Sequence, residues 1–244
     1  MGSVLIKCKS VKYVQDLVYY ERKYGILSCM KLARQQHEST ASRVLRRIRA
    51  KRRGSVFVPR DFLDLGSREA VDAALGRLVE AGTIRRIGRG VYDFPKNHPR
   101  FGSRTPSADA VAAAVARSHN EDICFSGAKA ANLLGVSTQV PAQAVYLTDG
   151  TNRKFTLDFG GGRGFDICFK RSSRRAGGNT KAGLILRALQ FVGRDGVDDA
   201  TVNRLRASLS DSDVRDLRAL RPQAVGWMSN IIGSIVNGKP LTKS

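Results

Sequence analysis

The stretch "TIRRIGRGVYDF", residues 83–94, limits the fold more than any other part of the chain. Its apolar residues alternate with polar ones around Gly88 and Gly90, a pattern that predicts two short strands joined by a tight turn. It follows directly on a segment of helical period. In "REAVDAALGRLVEAG" the residues Ala70, Val71, Ala74, Leu75, Leu78 and Val79 recur on one side, with Ser67 at the capping position and Gly82 at the stop. A helix that runs straight into a hairpin has to share a core with it, and few topologies upstream allow that.

The upstream segments fit one of them. Thr40 or Ser42 is the expected cap of a helix through "ASRVLRRIRAKRR", with Val44, Leu45 and Ile48 as its apolar stripe and Gly54 as its end. "SVFVP" (55–59) is a short β-favouring run. "RDFLDLG" then gives one or two helical turns after Pro59, offering Phe62, Leu63 and Leu65 to the core. Helix, short strand, helix, helix, two-stranded hairpin is the order of a winged helix-turn-helix. The sequence therefore predicts such a domain over residues 39–96, with the hairpin as its wing.

Charge says what the domain would touch. The chain carries 42 Lys+Arg against 21 Asp+Glu, a formal +21, and residues 41–104 alone hold 16 Lys/Arg against 6 Asp/Glu. Such an excess opposes compaction unless a polyanion offsets it; the competing reading is a solvated basic surface. On the nucleic-acid reading, the first helix supplies Arg43, Arg46, Arg47, Arg49, Lys51, Arg52 and Arg53 to phosphates. The wing adds Arg85, Arg86 and Arg89, along the backbone or in the minor groove. The outward face of the 68–80 helix, with Glu69, Asp72, Ala73, Gly76 and Glu80, is not rich in cations. Base reading falls to Ser67, Arg68, Asp72 or Arg77.

At "PKNHPRFGSRTPS" Pro, Gly and Ser replace periodic residues, which predicts a linker over 97–107. Beyond it, "SADAVAAAVARS" reads as a helix, "EDICF" as a strand and "SGAKAANLLG" as a helix. "AVYLTDGTNRKFTLDF" reads as a hairpin, "FDICFK" as one more strand, and four helical segments follow from Thr180. Residues 108–244 are thus expected to form an α+β domain with a small sheet and a helical C-terminal half. Residues 1–38 lack a firm period and are read as an N-terminal extension outside the fold, with Met30 as an alternative start. No run has the roughly 18 apolar residues of a membrane span, and no secretory signal is visible. Cys8, Cys29, Cys124 and Cys168 are scattered without ligand spacing, which argues for reduced thiols in a cytoplasmic setting, and against zinc. Cys124 and Cys168, both in "DICF", read as buried.

Residues 54–95, "GSVFVPRDFLDLGSREAVDAALGRLVEAGTIRRIGRGVYDFP", together with 126–150, "SGAKAANLLGVSTQVPAQAVYLTDG", resemble the AbiEi-type antitoxins of type IV, abortive-infection toxin–antitoxin systems. The late "RPQAVGWMSNII" looks like that family's ending, and the similarity covers most of 41–236. The resemblance implies a DNA-binding domain that represses its own operon at inverted repeats. It also implies a C-terminal domain that counters a nucleotidyltransferase toxin acting on RNA such as tRNA, without a stable complex being required. No cofactor or metal is implied.

Other constellations carry competing readings. Asn132, Ser137, Thr138 and Gln139 make either a surface for toxin or RNA, or a turn whose amides satisfy nearby backbone. "GGGRG" (160–164) reads as a hairpin turn. "AGGNTKAG" (176–183) precedes a helix, so that Lys181 could hold a phosphate there or simply follow a capped loop. Lys170, Arg171, Arg174 and Arg175 add a second basic patch. Asp158, Asp166 and Lys170 would be the residues of a metal-dependent nuclease, the least favoured alternative because Cys168 stands where such a site wants a carboxylate. A basic RNA-binding module that shields the toxin's substrate is the other alternative. No catalytic residue is assigned.

Overall fold

The computed structural model describes residues 39–100, 102–160 and 164–238. The 1–38 extension, with Cys8, Cys29 and Met30, lies outside the described residues. The chain is α+β. The first elements among the described residues are α1 (Thr40–Ala50), β1 (Val56–Phe57), a 3-10 turn (Pro59–Phe62), α2 (Arg68–Glu80), β2 (Arg85–Gly88) and β3 (Val91–Asp93). The three strands form an antiparallel sheet in the order β1-β3-β2. Ser67 caps α2 by accepting from the Ala70 N–H, as expected; α1 is capped by Ser39, one residue before the predicted candidates. Leu63, expected in the core, is 43% exposed, because the 3-10 turn closes at Phe62 and carries the next side chain outward.

Both faces of this sheet are covered. Val44, Ile48, Phe57, Phe62, Val71, Leu75 and Ile84 pack together on the side of α1 and α2. Val56, Val58, Ile87 and Val91 point the other way, into a second core. That alternation is the period-two pattern of the sequence, with both sets apolar instead of one.

After β3 the chain forms a small hairpin, β4 (Asn97–His98) with β5 (Gly102–Ser103), inside the segment expected to be a linker. Next come α3 (Ala108–His119), β6 (Ile123–Phe125), α4 (Gly127–Leu133), β7 (Ala144–Thr148), β8 (Arg153–Asp158) and β9 (Gly164–Arg171). Val111, Ala112 and Val115 of α3 join Tyr146, Leu157, Ile167 and Phe169 of the second sheet in the same cluster as Val56, Ile87 and Val91. One core therefore spans the 97–107 segment. Arg117 reinforces it from α3, with Nε 3.0 Å from Asp61 Oδ1 and Nη2 3.1 Å from Oδ2.

The second sheet has the order β6-β7-β9-β8, with β7 parallel to β9 and β8 antiparallel to β9. The expected hairpin of β7 with β8 does not form; the two strands flank β9. Two causes act together. Ile167 and Phe169 make β9 the strand that gains most from a central place. The 149–152 connection is also tied at both ends to Glu121, which accepts from Nη1 and Nη2 of Arg153 at 2.6 and 2.7 Å and from the Thr148 hydroxyl at 2.7 Å. Flanking "GGGRG", β8 and β9 pair antiparallel up to Asp158 opposite Gly164, so the hairpin expected there is present; residues 161–163 are outside the described set. Cys124 is buried as expected. Cys168 is only half-buried, because it lies on the face of β9 opposite Ile167 and Phe169.

The last four helices are α5 (Lys181–Val192), α6 (Asp199–Ala207), α7 (Asp211–Leu220) and α8 (Gly226–Asn237). Ile185, Leu189, Val202, Leu205, Leu217 and Ile232 form their core, with Met228 buried in it and Trp227 packed at its margin.

The Glu121 clamp makes stability sensitive to acid. The Arg153 guanidinium, with the Thr148 hydroxyl, outweighs partial desolvation and holds the Glu121 carboxyl below its ordinary range. A depressed folded pKa contributes stability that is complete above the unfolded value, about 4.3, and is lost as pH falls through the folded value. Thermal melts from pH 7 to pH 3 are expected to show that loss in the parent. Glu121→Gln should melt lower at pH 7 and decline less steeply below about pH 4.3; parallel curves for the two proteins would remove the clamp from the account.

Candidate nucleic-acid interface

The cations expected on the first helix divide into two groups. Arg43 donates to the Leu65 carbonyl, and its buried Nε has no acceptor among the described residues. Arg47 grips the Asp64 carboxylate at 2.6 and 2.7 Å and the Asp61 carbonyl at 3.1 Å. Lys51 lies 3.7 Å from Asp61 and 5.7 Å above the Phe62 ring. These three brace α1 against the 59–65 turn, so their first task is structural, which corrects the expectation that all seven cations face phosphates. Arg46, Arg49 and Arg52 are exposed. Arg52 takes a left-handed conformation (φ 66°) that ends the helix and turns the chain toward β1. Arg53 stacks 4.7 Å over the Phe94 ring and donates to the Pro95 carbonyl at 3.1 Å, which places the end of α1 beside the residues after β3.

The wing arginines also separate. Arg85 points inward and clamps Asp93 in a two-pronged pair of 3.0 and 2.5 Å, with a third bond of 3.0 Å to the Arg104 carbonyl. Asp93 is only 1% exposed, so this is an internal ion pair and not a phosphate contact. Arg86, one residue on, faces the opposite side of the strand and is exposed, as is Arg89 in the turn. Both border an open groove of about 820 Å³ between the hairpin and the end of β8, where Asp158 and Phe159 form the facing wall. The hairpin is not a free arm. A Cβ added at Gly88 would lie 2.5 Å from the Phe155 ring, so only glycine lets β2 seat on β8 this closely.

The Arg53 cluster and Arg89 therefore sit at opposite ends of one sheet. The three residues of β3 and the Gly90 turn separate Phe94 from Arg89, on the order of 10–15 Å at strand rise. The single clamp expected from the sequence becomes two separate cationic sites.

One of the two is larger than the sequence predicted. The β4–β5 hairpin brings Lys96 and Arg104 to the Arg53 end and carries Arg100 at its tip, all exposed. Its base is closed by the Arg104 N–H on the Lys96 carbonyl at 2.9 Å, and Lys96 packs next to Gly54. Between Asp93 and Asp109 the sequence has no carboxylate. That acid-free run was the available signal; its Pro and Gly content made it read as a linker.

A family of unknown function, DUF6088, has a model that matches residues 43–217. The chain belongs to that family. No curated protein matches it. The DUF6088 match runs from α1 into α7, across both sheets, so the shared core and the cationic end of the first sheet both lie within what defines the family.

The other predicted residues are placed as follows within this DUF6088 chain. Ser67 is occupied as a cap, Arg68 pairs with Asp72 at 2.8 Å along α2, and Arg77 donates to the Ala73 carbonyl at 3.3 Å. All are exposed, so α2 presents a weakly charged surface. The Asn132 amide donates to the Gln139 carbonyl at 3.3 Å, and the Ser137 hydroxyl accepts from the Gln139 N–H at 3.2 Å. These are the bonds of a turn, with Thr138 and Gln139 exposed on it. Lys170, Arg171 and Arg174 are exposed; Arg175 is drawn inward to the Ser172 carbonyl at 3.0 Å, with Asp149 at 3.6 Å. Lys181 reaches away from its own helix start to the Ser208 carbonyl, with Asp213 at 3.8 Å. It does not join the patch. Asp166 is held by Lys154 at 2.7 Å and Thr156 at 2.8 Å, while Asp158 accepts from the Gly160 N–H. The two carboxylates and Lys170 therefore do not converge.

Proposed function

We propose that this chain is a cytoplasmic DNA-binding antitoxin and autorepressor of a type IV toxin–antitoxin system. On this reading residues 39–96 act as a winged helix-turn-helix on inverted repeats upstream of the operon. The C-terminal part counters a nucleotidyltransferase toxin, and neither part is an enzyme.

The observation that carries the DNA-binding half is the cationic end of the first sheet, where Asp93 is buried against Arg85 while Arg49, Arg52, Arg53, Lys96 and Arg100 are exposed, with α2, whose exposed face is small and nearly neutral, packed on α1. Such a helix can approach base edges at Ala73 and Gly76 while cations beside it take the phosphates. Arg89, in the turn, lies on the order of 10–15 Å from the Arg53 end by strand rise, comparable to the major groove width of about 12 Å, with Arg86, opposite Tyr92, between the two. The antitoxin half is supported by the resemblance of residues 54–95 and 126–150. No helix among the described residues is long and apolar enough to cross a membrane.

Fluorescence anisotropy with the duplex upstream of the gene tests the reading. Binding is expected to depend on the inverted repeats and to weaken steeply with salt. Preference for tRNA over that duplex would replace it with the RNA-shielding module, and Mg²⁺-dependent cleavage lost in Asp166→Ala would replace it with the nuclease. Co-expression with the adjacent nucleotidyltransferase should restore growth; failure to do so would sink the antitoxin half alone.

A further inference from the structure

The second lobe contains a feature that DNA binding leaves unexplained. Arg187, in the middle of α5, is 4% exposed. Its Nη1 donates to the Ala176 carbonyl at 3.3 Å and another nitrogen to the Gly178 carbonyl, while its Nε has no acceptor among the described residues. No carboxylate among the described residues pairs with it, and burial pulls its pKa below the ordinary guanidinium value. A buried cation without a counter-charge is costly, and an anion beside it recovers part of that cost.

Arg187 lines a cavity of about 200 Å³ together with Arg174, Gln190 and Gln223. The cavity also takes in Val225, the residue before the first turn of α8. Each other described α-helix has its first turn capped by a Ser, Thr or Asp side chain. Valine has no oxygen to offer, and the first turn of the 12-residue α8 has no acidic residue. The Met228 N–H turns back to the Val225 carbonyl at 2.8 Å, so the positive end of the dipole and the Gly226 and Trp227 N–H groups are what is left for an outside acceptor. A Cβ at Gly226 would meet nothing within 4 Å, so the approach is open.

We propose that this cavity is a binding site for a phosphate monoester, held by Arg187, Arg174 and the N-terminus of α8. The Arg174 guanidinium, the Arg187 hydrogens not already given to Ala176 and Gly178, the amides of Gln190 and Gln223 and the uncapped helix start make a donor set suited to a dianion with several acceptor oxygens. The volume is below that of drug-sized pockets, so the phosphate enters and the group that carries it stays at the mouth. The phosphate comes either from a free mononucleotide or from the end of an RNA, and the test separates them.

Trp227 is the only tryptophan and stands in the first turn of α8, so its fluorescence reports on the site. Inorganic phosphate and adenosine monophosphate, titrated into the full chain at constant ionic strength in chloride, are expected to give a saturable change. Arg174→Ala should weaken it at least tenfold, and Arg187→Lys should weaken it while the protein keeps its helical circular dichroism. Competition by a 5′-phosphorylated RNA but not by the same RNA without the phosphate assigns the RNA end; no competition by either assigns the mononucleotide. No saturable change, or one that Arg174→Ala leaves untouched, overturns the proposal. Arg49→Ala/Arg52→Ala should leave this signal unchanged, so the site stands or falls independently of the DNA interface.

Discussion

Arg85→Ala is expected to destabilise the protein by about 3 kcal/mol, the scale for removing one partner of a buried ion pair. Measured by urea unfolding, that is a large fraction of the stability of a chain this size. The cost comes from Asp93, which is buried and would be left without the guanidinium that satisfies both its oxygens. Arg85→Ala also frees the Arg104 carbonyl and so loosens the base of the β4–β5 hairpin. The double variant Arg85→Ala/Asp93→Ala should recover part of the loss, because no charge is then stranded. Loss of DNA binding in Arg85→Ala would therefore report unfolding, not a phosphate contact. A single variant as stable as the parent would show that the pair is solvated and that the sheet does not depend on it.

The second large effect is on binding with little change in stability. Arg49, Arg52, Lys96 and Arg100 are exposed at one end of the first sheet. Replacing all four with alanine is expected to change stability by only a few tenths of a kcal/mol per site. If each contacts one phosphate, the slope of log affinity against log salt should fall by about 3 to 4, since each contact contributes about 0.9. At low salt the affinity should drop by roughly 100-fold or more. Arg86→Ala/Arg89→Ala should reduce the slope by about 1 to 2. An unchanged slope in the fourfold variant would remove the β4–β5 hairpin from the interface, whatever the chain binds.

Much of the fold was legible because it is local. Ser67 before an apolar period, Gly82 after it and two short alternating runs around Gly-Arg-Gly fix α2, β2 and β3 from neighbours a few residues apart. The helices after Thr180 were legible for the same reason. The site was less so. Seven cations along one helix look equivalent in sequence, yet Arg43 and Arg47 are taken by Leu65 and Asp64, about 20 positions on, while Arg49 and Arg52 stay in solvent. Similarly, "RRIGR" cannot show that its first arginine faces a buried aspartate and its second does not.

By itself, then, the sequence determined most of the helices and strands, though not the β4–β5 hairpin, and that most of the excess charge lies in the first hundred residues. Those properties depend on spacing along the chain, which every sequence displays directly. Only the tertiary structure decided that β9 sits between β7 and β8, that the first sheet is covered on both faces, and which arginines remain for a partner. Each of those outcomes is a competition for burial or for a carboxylate between residues far apart in the chain. Glu121 reaching Arg153, and Asp61 reaching Arg117, settle it only after the chain has closed.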